Sequence, residues 1–354
     1  MKTKLYVLNK KYAFVSFIFI FLLIVGLIIQ ETYKKNPLSV FSQSYVWEDK
    51  QSENQNKNNY IKWVDFSPTY QALSETSKID IESHNNDNSS VQYNWIELLS
   101  YLACQYGGNF KNYKSSDLKD LCDKLSSGNT IDDLTKNLKH YTYYYEAFDA
   151  VLHEYIGYYE VEENSPNSTV KYLVQKYGLK VFSPIAKNYS YSHYDDFGNS
   201  RSYGYKRRHL GHDLMGSIGT PIIAMESGTI EAIGWNQYGG WRIGIRSFDK
   251  KRYYYYAHLR KDHPYAQNFN KGDTVNSGDV IGYLGMTGYS SNENVNNINV
   301  PHLHLGVQLI FDESQKDGTN QIWIDLYNII EFLKSNSVAV YKNSNSGEFC
   351  RLRR

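Results

Sequence analysis

The sequence predicts an all-β domain, an antiparallel sandwich or barrel, preceded by a small α-helical module and an N-terminal transmembrane helix. From about residue 181, short apolar or β-branched runs alternate with glycine-containing turns, as in antiparallel β proteins. Residues 94–157 repeat apolar side chains at helical spacing, and residues 13–29 carry no charge. A chain of 354 residues is long enough for two folded units joined by linkers.

The composition excludes several classes of protein. The formal net charge is +1, without the basic excess of a nucleic-acid-binding chain, so no nucleic-acid partner is predicted. Three cysteines, at positions 104, 122 and 350, do not make a disulfide framework and are expected to be free, buried thiols. The 34 tyrosines are expected on strands and half-buried helix faces rather than as platforms for stacking sugars.

The amino-terminal segment predicts a membrane anchor. Residues 13–30 are almost entirely apolar, and about seventeen helical residues span roughly 25 Å of a hydrocarbon core of about 30 Å. A cleaved signal peptide is the alternative, but residues 27–31 offer no small-x-small cleavage site. Four lysines precede the apolar run and two follow it closely, which favours a cytoplasmic segment at 1–12. The expected location is the cell membrane, crossed once, with the N-terminus inside and the rest of the chain outside.

Two segments separate this anchor from the β domain. Residues 31–90 are mostly polar with little periodicity, which predicts an extracellular stalk or linker. Residues 91–162 predict the helical module. Its three expected helices lie at about 95–106, 115–127 and 130–157, each bounded by capping residues or glycines.

Two short motifs, about ninety residues apart, carry the predicted chemistry. His209 and Asp213 lie four residues apart, and His302 and His304 lie two apart. Neutral imidazole and carboxylate groups are usual zinc ligands, and three protein ligands with an open fourth position are typical of a catalytic site. These residues therefore predict a zinc hydrolase.

Strand geometry constrains which of these side chains can meet. Residues two apart share a face of a strand, so His302 and His304 can point into one groove. His209 and Asp213 share parity, but in a straight strand they would lie about 13 Å apart. They can share one metal ion only if the chain bends, and Gly211 is where it could bend.

Two other histidines compete for roles at this site. His212 adjoins Asp213 and is the alternative ligand to His209, although strand parity points it to the opposite face. His258 ends a predicted strand at 253–257 and is a further candidate. Three nearby arginines either meet substrate carboxylates or flank a strand, namely Arg201, Arg207 and Arg208.

Five ordered sequence blocks resemble the lysostaphin-like, LytM-type family of cell-wall zinc metallopeptidases, over roughly residues 180–335. The first zinc motif of that family is matched by His-x-Gly-x-Asp at 209–213, and the last by His-x-His at 302–304. The other matching blocks lie at 219–228, 256–259 and 272–288. One departure is the stretch 289–300 before the last motif, where the family usually has few residues, which predicts an added loop at the cleft rim.

The resemblance implies a duplicated-hybrid-motif fold over residues 178–335, followed by a C-terminal tail at 336–354. It makes His209, Asp213 and His304 the ligands of one Zn²⁺ per chain, with no other cofactor site. The remaining two histidines of the motifs would then be the catalytic pair.

The catalytic pair implied by the resemblance is His302 and His258. No H-E-x-x-H motif is present, so no glutamate is positioned as the general base in the usual way. A histidine, with its near-neutral pKa, must then accept the proton. His302 is the favoured base, and His258 would stabilise the oxyanion or protonate the leaving amine.

The function implied is that of a membrane-anchored bacterial zinc metallo-endopeptidase that hydrolyses the peptide cross-links of peptidoglycan. The alternative is a non-catalytic LytM-like scaffold or activator module of the cell envelope. Degenerate members of that kind lose ligands or catalytic histidines, whereas this chain keeps all of them, which favours the enzyme. The sequence identifies no protein partner.

Overall fold

The computed structural model describes residues 60–164, 171–203 and 205–352. They belong to one compact unit, residues 59–354, which contains both helices and sheets. The predicted cytoplasmic segment 1–12, the predicted anchor 13–30 and the first half of the predicted stalk lie outside the described residues.

The prediction of a single-pass membrane protein is wrong. Among the described residues, no helix combines the length and the apolar character needed to cross a membrane. The longest described helix has 15 residues, which is roughly 22 Å against a hydrocarbon core of about 30 Å. The apolar run at 13–30, on which the prediction depends, is not among the described residues. The predicted membrane location and orientation are therefore not retained.

Helices make up the first part of the described chain. They are α1 (Tyr70–His84), α2 (Trp95–Tyr106), α3 (Ser115–Ser126), α4 (Ile131–Thr135) and α5 (Tyr141–Leu152). Helix α2 begins where the Asn94 side chain accepts hydrogen bonds from the amides of Ile96 and Glu97. It ends at Gly107, whose φ of 59° is in the left-handed region. The third helix predicted from sequence is two helices, α4 and α5, separated by a turn at 136–140.

Helix α1 lies inside the stretch 31–90, for which the sequence predicts a stalk. Most of its buried side chains are polar, among them Thr76, Asp80 and Ser83. The Thr76 hydroxyl donates to the carbonyl of Ala72 at 2.7 Å, whereas the Asp80 carboxylate accepts from the amide of Trp95 at 2.8 Å and from the hydroxyl of Tyr177 at 2.7 Å. A helix that buries hydroxyls leaves little apolar periodicity, so the sequence does not reveal it.

Antiparallel strands make up most of the remaining chain. A long hairpin pairs β1 (Ile156–Asn164) with β2 (Lys171–Leu179). The main sheet contains β3 (Tyr191–His193), β6 (His212–Gly216), β8 (Gly228–Asn236), β9 (Gly240–Ser247), β10 (Arg252–Ala257), β11 (Thr274–Val275), β13 (His302–Leu309) and β14 (Ile322–Trp323). Shorter pairs are β4 (Ser200–Tyr203) with β5 (Tyr205–Arg208), β7 (Pro221–Ile223) with β12 (Val280–Tyr283), and β15 (Val340–Lys342) with β16 (Phe349–Arg351). Helix α6 (Tyr327–Leu333) follows β14.

The main sheet has the order β11-β8-β9-β10-β13-β6-β3, with β14 paired to β13, and each of these pairs is antiparallel. This confirms the predicted antiparallel β domain preceded by helices. Alternate residues of the central strands, such as Ile243, Tyr256 and Leu303, are fully buried in the core. The residues between them face the other side of the sheet, where they form the floor of an open groove.

The three cysteines are free, as the sequence predicts. They are half-buried rather than fully buried. Burial raises the pKa of Cys104 and of Cys122 to about 11, so both remain thiols at neutral pH and are poor nucleophiles.

The helical module and the main sheet share one core, and a buried ion pair lies at their contact. Arg252 on β10 is fully buried, and its Nε and Nη2 donate to the two carboxylate oxygens of Glu226 at 2.8 and 2.9 Å. Its Nη1 donates to the carbonyl of Ala150 in α5 at 2.7 Å. The Tyr254 hydroxyl donates to the same Glu226 carboxylate. One guanidinium therefore ties α5 to the sheet.

We expect Arg252→Met to lower the free energy of unfolding by about 3–5 kcal/mol, because it leaves the buried Glu226 carboxylate without its guanidinium partner. Urea unfolding followed by circular dichroism measures this loss. Lys78→Met is the control, since Lys78 and Glu82 form an exposed pair at 3.8 Å and such pairs are worth less than about 1 kcal/mol. Equal losses in the two variants would contradict a stabilising role for the buried pair.

Candidate metal centre and the groove around it

Strand pairing brings together two side chains that are far apart in sequence. Strands β6 and β13 are antiparallel neighbours, with Asp213 directly opposite His304 and Met215 opposite His302. Directly opposed residues share a face of the sheet, so Asp213, His302 and His304 all lie on the groove side. His212 and Leu303, one position along each strand, lie on the core side and are fully buried.

Three side chains converge at one point of the groove. The Nε2 atom of His209 lies 3.0 Å from Oδ1 of Asp213 and 2.9 Å from Nδ1 of His304. The third separation, from His304 Nδ1 to Asp213 Oδ1, is 3.1 Å. Ligands at about 2.0–2.2 Å from a tetrahedral ion lie roughly 3.3–3.6 Å apart, so a small outward movement would admit one. These three residues could hold a metal ion.

The chain reaches this arrangement by turning sharply before β6. His209 lies outside the strand, and its amide donates to the carbonyl of Asn199 at 2.8 Å. A Cβ atom at Gly211 would lie 2.5 Å from the Leu305 carbonyl oxygen and 2.9 Å from the His304 ring. Only glycine allows this close approach, so the bend lies at the residue that the sequence indicates.

A loop carboxylate and an arginine orient two of the three converging groups. Nδ1 of His209 lies 3.1 Å from Oδ2 of Asp196, which assigns one proton there, so the proton lost on metal binding is that of Nε2. Nη2 of Arg201 donates to Asp196 at 2.7 Å and to Oδ2 of Asp213 at 3.1 Å. Oδ1 of Asp213 is thereby left to face His209 and His304.

The two other motif histidines present the same nitrogen to the groove side. Nδ1 of His302 lies 2.8 Å from the Val300 carbonyl oxygen, and Nδ1 of His258 lies 2.9 Å from that of Thr287. Each carbonyl fixes the proton on Nδ1, so each Nε2 carries a lone pair. His302 Nε2 is 3.6 Å from Oδ1 of Asp213, and the His302 and His258 ring centroids are 4.8 Å apart.

His258 has an unusual backbone conformation. Its φ is 62°, in the left-handed region that branched and bulky side chains rarely adopt. Its amide donates to the carbonyl of Gly239 at 2.7 Å, which helps to hold the conformation. Backbone strain of this kind clusters at functional sites, because the surrounding structure must over-determine it.

The histidines of the cluster differ in charge at neutral pH. Burial disfavours protonation of His209, but the hydrogen bonds to Asp196 and Asp213 outweigh burial and raise its pKa to about 9. Burial lowers the pKa of His258 and of His304, so both rings are neutral at pH 7. Burial also opposes ionisation of Asp213, yet the hydrogen bonds from His209 and His304 hold its pKa well below the usual range.

His212, the alternative ligand, is turned away from the other three. Its Nε2 lies 2.9 Å from Oδ1 of Asp325, and its Nδ1 lies 3.4 Å from Oδ1 of Asp196. Burial opposes its protonation, but Asp196 and Asp325 raise its pKa to about 9. One carboxylate, that of Asp196, therefore contacts both His209 and His212 from between them.

The converging residues lie at the floor of a groove of about 540 Å³. Tyr289, from the loop predicted at the cleft rim, lines one side of it. Its hydroxyl accepts a hydrogen bond from Nη2 of Arg207 at 2.6 Å, and the guanidinium lies 5.2 Å from its ring centroid. Arg207 on β5 thus contacts the rim loop, whereas Arg201 contacts the carboxylates beside the candidate metal centre.

The β domain that carries this site is similar to the domain of peptidase family M23. Residues 207–317 match the family model described as Peptidase family M23, which confirms the LytM-type resemblance of the motifs. The chain is 38% identical over 124 residues to the L-Ala–D-Glu endopeptidase of Bacillus subtilis (strain 168), covering 35% of this chain and 36% of that protein. It is 40% identical over 98 residues to lysostaphin of Staphylococcus simulans, covering 27% of this chain and 17% of that protein.

These similarities cover part of each relative. The matched stretch spans about a third of the length of the Bacillus protein and less than a fifth of lysostaphin. A solved structure of a candidate glycyl-glycine endopeptidase LytM from Ruminococcus gnavus aligns with 78% of this chain and 92% of its own, at 23% identity and a TM-score of 0.48.

We expect binding of a divalent metal ion to release one proton from His209 at pH 7. This ring is protonated there because its pKa is about 9, and a ring nitrogen must be deprotonated before it can bind a metal. The apparent affinity should therefore rise about tenfold per pH unit between pH 6 and 8, below the pKa. Calorimetry in buffers of different ionisation enthalpy counts the released protons. A pH-independent affinity would contradict the raised pKa.

Proposed function

We propose that this protein is a zinc metallo-endopeptidase that hydrolyses peptide cross-links of bacterial peptidoglycan. The observation that carries the proposal is the convergence of His209 Nε2, Asp213 Oδ1 and His304 Nδ1 at one point of an open groove. Relatives of the same domain bear the names L-Ala–D-Glu endopeptidase and glycyl-glycine endopeptidase, which support the substrate class. A groove open to solvent suits a substrate as large as a cross-linked wall.

In this proposal one Zn²⁺ per chain is held by His209, Asp213 and His304. Two imidazoles and one carboxylate form a donor set typical of catalytic zinc, and the carboxylate of Asp196 behind His209 is a common second partner of such a ligand. Bound there, zinc would act as a Lewis acid toward the scissile carbonyl and would lower the pKa of the attacking water to about 7.

His302 is the proposed general base. Its Nε2 is the lone-pair nitrogen and lies 3.6 Å from Oδ1 of Asp213, so it is close enough to the centre to accept a proton from the attacking water. The Val300 carbonyl holds the ring in the tautomer that this role needs.

His258 is proposed to receive the proton that His302 takes from the attacking water and to pass it to the leaving amine. Burial lowers its pKa, so a proton on this ring is unstable and is readily transferred. The ring stands beside His302, at 4.8 Å between centroids. Its left-handed backbone conformation serves to aim this side chain from the end of β10.

We expect elemental analysis of the purified protein to find about one zinc per chain, and His304→Ala to lose most of it because two ligands hold zinc weakly. His212→Gln is the matched control, since this ring lies on the opposite face of β6. It should keep its zinc while circular dichroism shows a folded chain. Zinc that is retained in His304→Ala and lost in His212→Gln would assign the ligand to His212 instead.

We expect the protein to release peptides from purified peptidoglycan, with mass spectrometry identifying the new peptide ends. His302→Ala and His258→Ala should keep zinc but lower turnover by about 10²- to 10⁴-fold, because proton transfer acts on the transition state. The two losses should not multiply if both rings serve one proton path. A zinc-loaded protein that releases no peptide from any wall preparation would favour the scaffold alternative.

A further inference from the structure

Arg242 stands on the groove face of the sheet, in line with the candidate metal centre. On the main sheet, Ile243 of β9 faces Tyr256 of β10, and the next residue of β10, Ala257, faces His304 of β13. Because β9 and β10 are antiparallel, the residue opposite Ala257 is Arg242, which precedes Ile243. Arg242 therefore lies in the same cross-strand row as His304, two strands away. At about 4.8 Å between strands, their backbones lie roughly 10 Å apart.

The guanidinium of Arg242 shares the groove with the carboxylates of Glu231 and Asp317 but is paired with neither. Its Nε is buried and has no hydrogen-bond partner, and it forms no ion pair with a carboxylate of the described residues. Arg246, four residues along β9 on the same face, is engaged by the protein instead. Its Nε donates to Glu231 at 2.9 Å and its Nη1 to the carbonyl of Lys250 at 2.8 Å, while its Nη2 has no partner. Lys316 contacts the same Glu231 carboxylate.

The surroundings of Arg242 strengthen its electrostatic attraction for an anion. The half-buried phenols of Tyr253 and Tyr255 line the groove beside it. Desolvation raises the pKa of Tyr253 to about 12, although the positive charge of Arg242 acts in the opposite direction. Both tyrosines are therefore neutral and offer no counter-charge. An unpaired guanidinium next to aromatic walls is less hydrated than one in open water, so a carboxylate that enters the groove gains more by contacting it.

We propose that Arg242 binds a free carboxylate of the substrate peptide and so selects acidic stem peptides over neutral oligoglycine bridges. A planar guanidinium matches a carboxylate through two parallel hydrogen bonds. Stem peptides of peptidoglycan contain acidic residues, whereas oligoglycine has no side-chain charge. This inference rests on the proposed function and adds the substrate class.

The test compares three substrates with blocked ends: a synthetic stem peptide with free carboxylates, the same peptide with carboxamides in their place, and pentaglycine. The full-length, zinc-loaded protein should cleave the free acid with a kcat/KM about 10- to 100-fold above that of the amide, as expected for a charged hydrogen bond. In Arg242→Gln the value for the acid should fall by this factor, mainly through KM, while the value for the amide should hardly change.

Arg246→Gln is the matched control, because it removes a guanidinium from the same strand and face that Glu231 already engages. It should keep the preference for the free acid, and zinc content should be unchanged in both variants. Retained preference in Arg242→Gln, or a wild-type preference for the amide or for pentaglycine, would overturn the role of Arg242 while leaving the peptidase proposal intact. A wild-type protein that cleaves none of these peptides and releases nothing from purified peptidoglycan would remove the proposed function, and this inference with it.

Discussion

The register between β6 and β13 is the constraint on which the candidate centre depends. Because Asp213 stands directly opposite His304, a carboxylate and an imidazole separated by ninety-one positions are held by the backbone of a buried sheet rather than by flexible loops. A slip of one residue in either strand would turn its side chain of this pair into the core. The apolar alternation of both strands opposes such a slip, so core packing and site geometry are enforced by the same pattern.

His209, the third converging group, lies outside the strands and is oriented by the carboxylate of Asp196. This carboxylate contacts His209 on one side and His212 on the other, so a histidine on the groove face and one on the core face share a partner. Arg201 balances part of the negative charge of Asp196 and Asp213. Burial opposes ionisation of Asp196, but the hydrogen bonds from His209 and His212 outweigh burial and hold the pKa of Asp196 well below its usual range. The cluster is therefore a charge network that extends through the thickness of the sheet.

Much of the architecture and the placement of the motif histidines follow from local sequence, because strand alternation and glycine turns are local properties. Strand parity alone predicts that His212 and Asp213 face opposite sides of β6. The spacing of His209 and Asp213 predicts the bend at Gly211, because a straight strand would hold them too far apart. Asp196 could not be found in this way, since a loop that no periodic pattern covers brings it to His209. Helix α1 was hidden because its buried side chains include hydroxyls and a carboxylate. The role of Arg201 could not be separated from substrate binding, because only the folded chain shows that carboxylates already surround it.

The contact of Arg252 with the carbonyl of Ala150 has a practical meaning for how the protein can be divided. A fragment that begins at the predicted boundary of the β domain, near residue 178, would lack the helix that supplies this acceptor. The guanidinium would keep its carboxylate but lose the Ala150 acceptor, and the apolar surface beneath α5 would face solvent. In this chain, the core of the segment that carries the family motifs is therefore completed by helices that precede it.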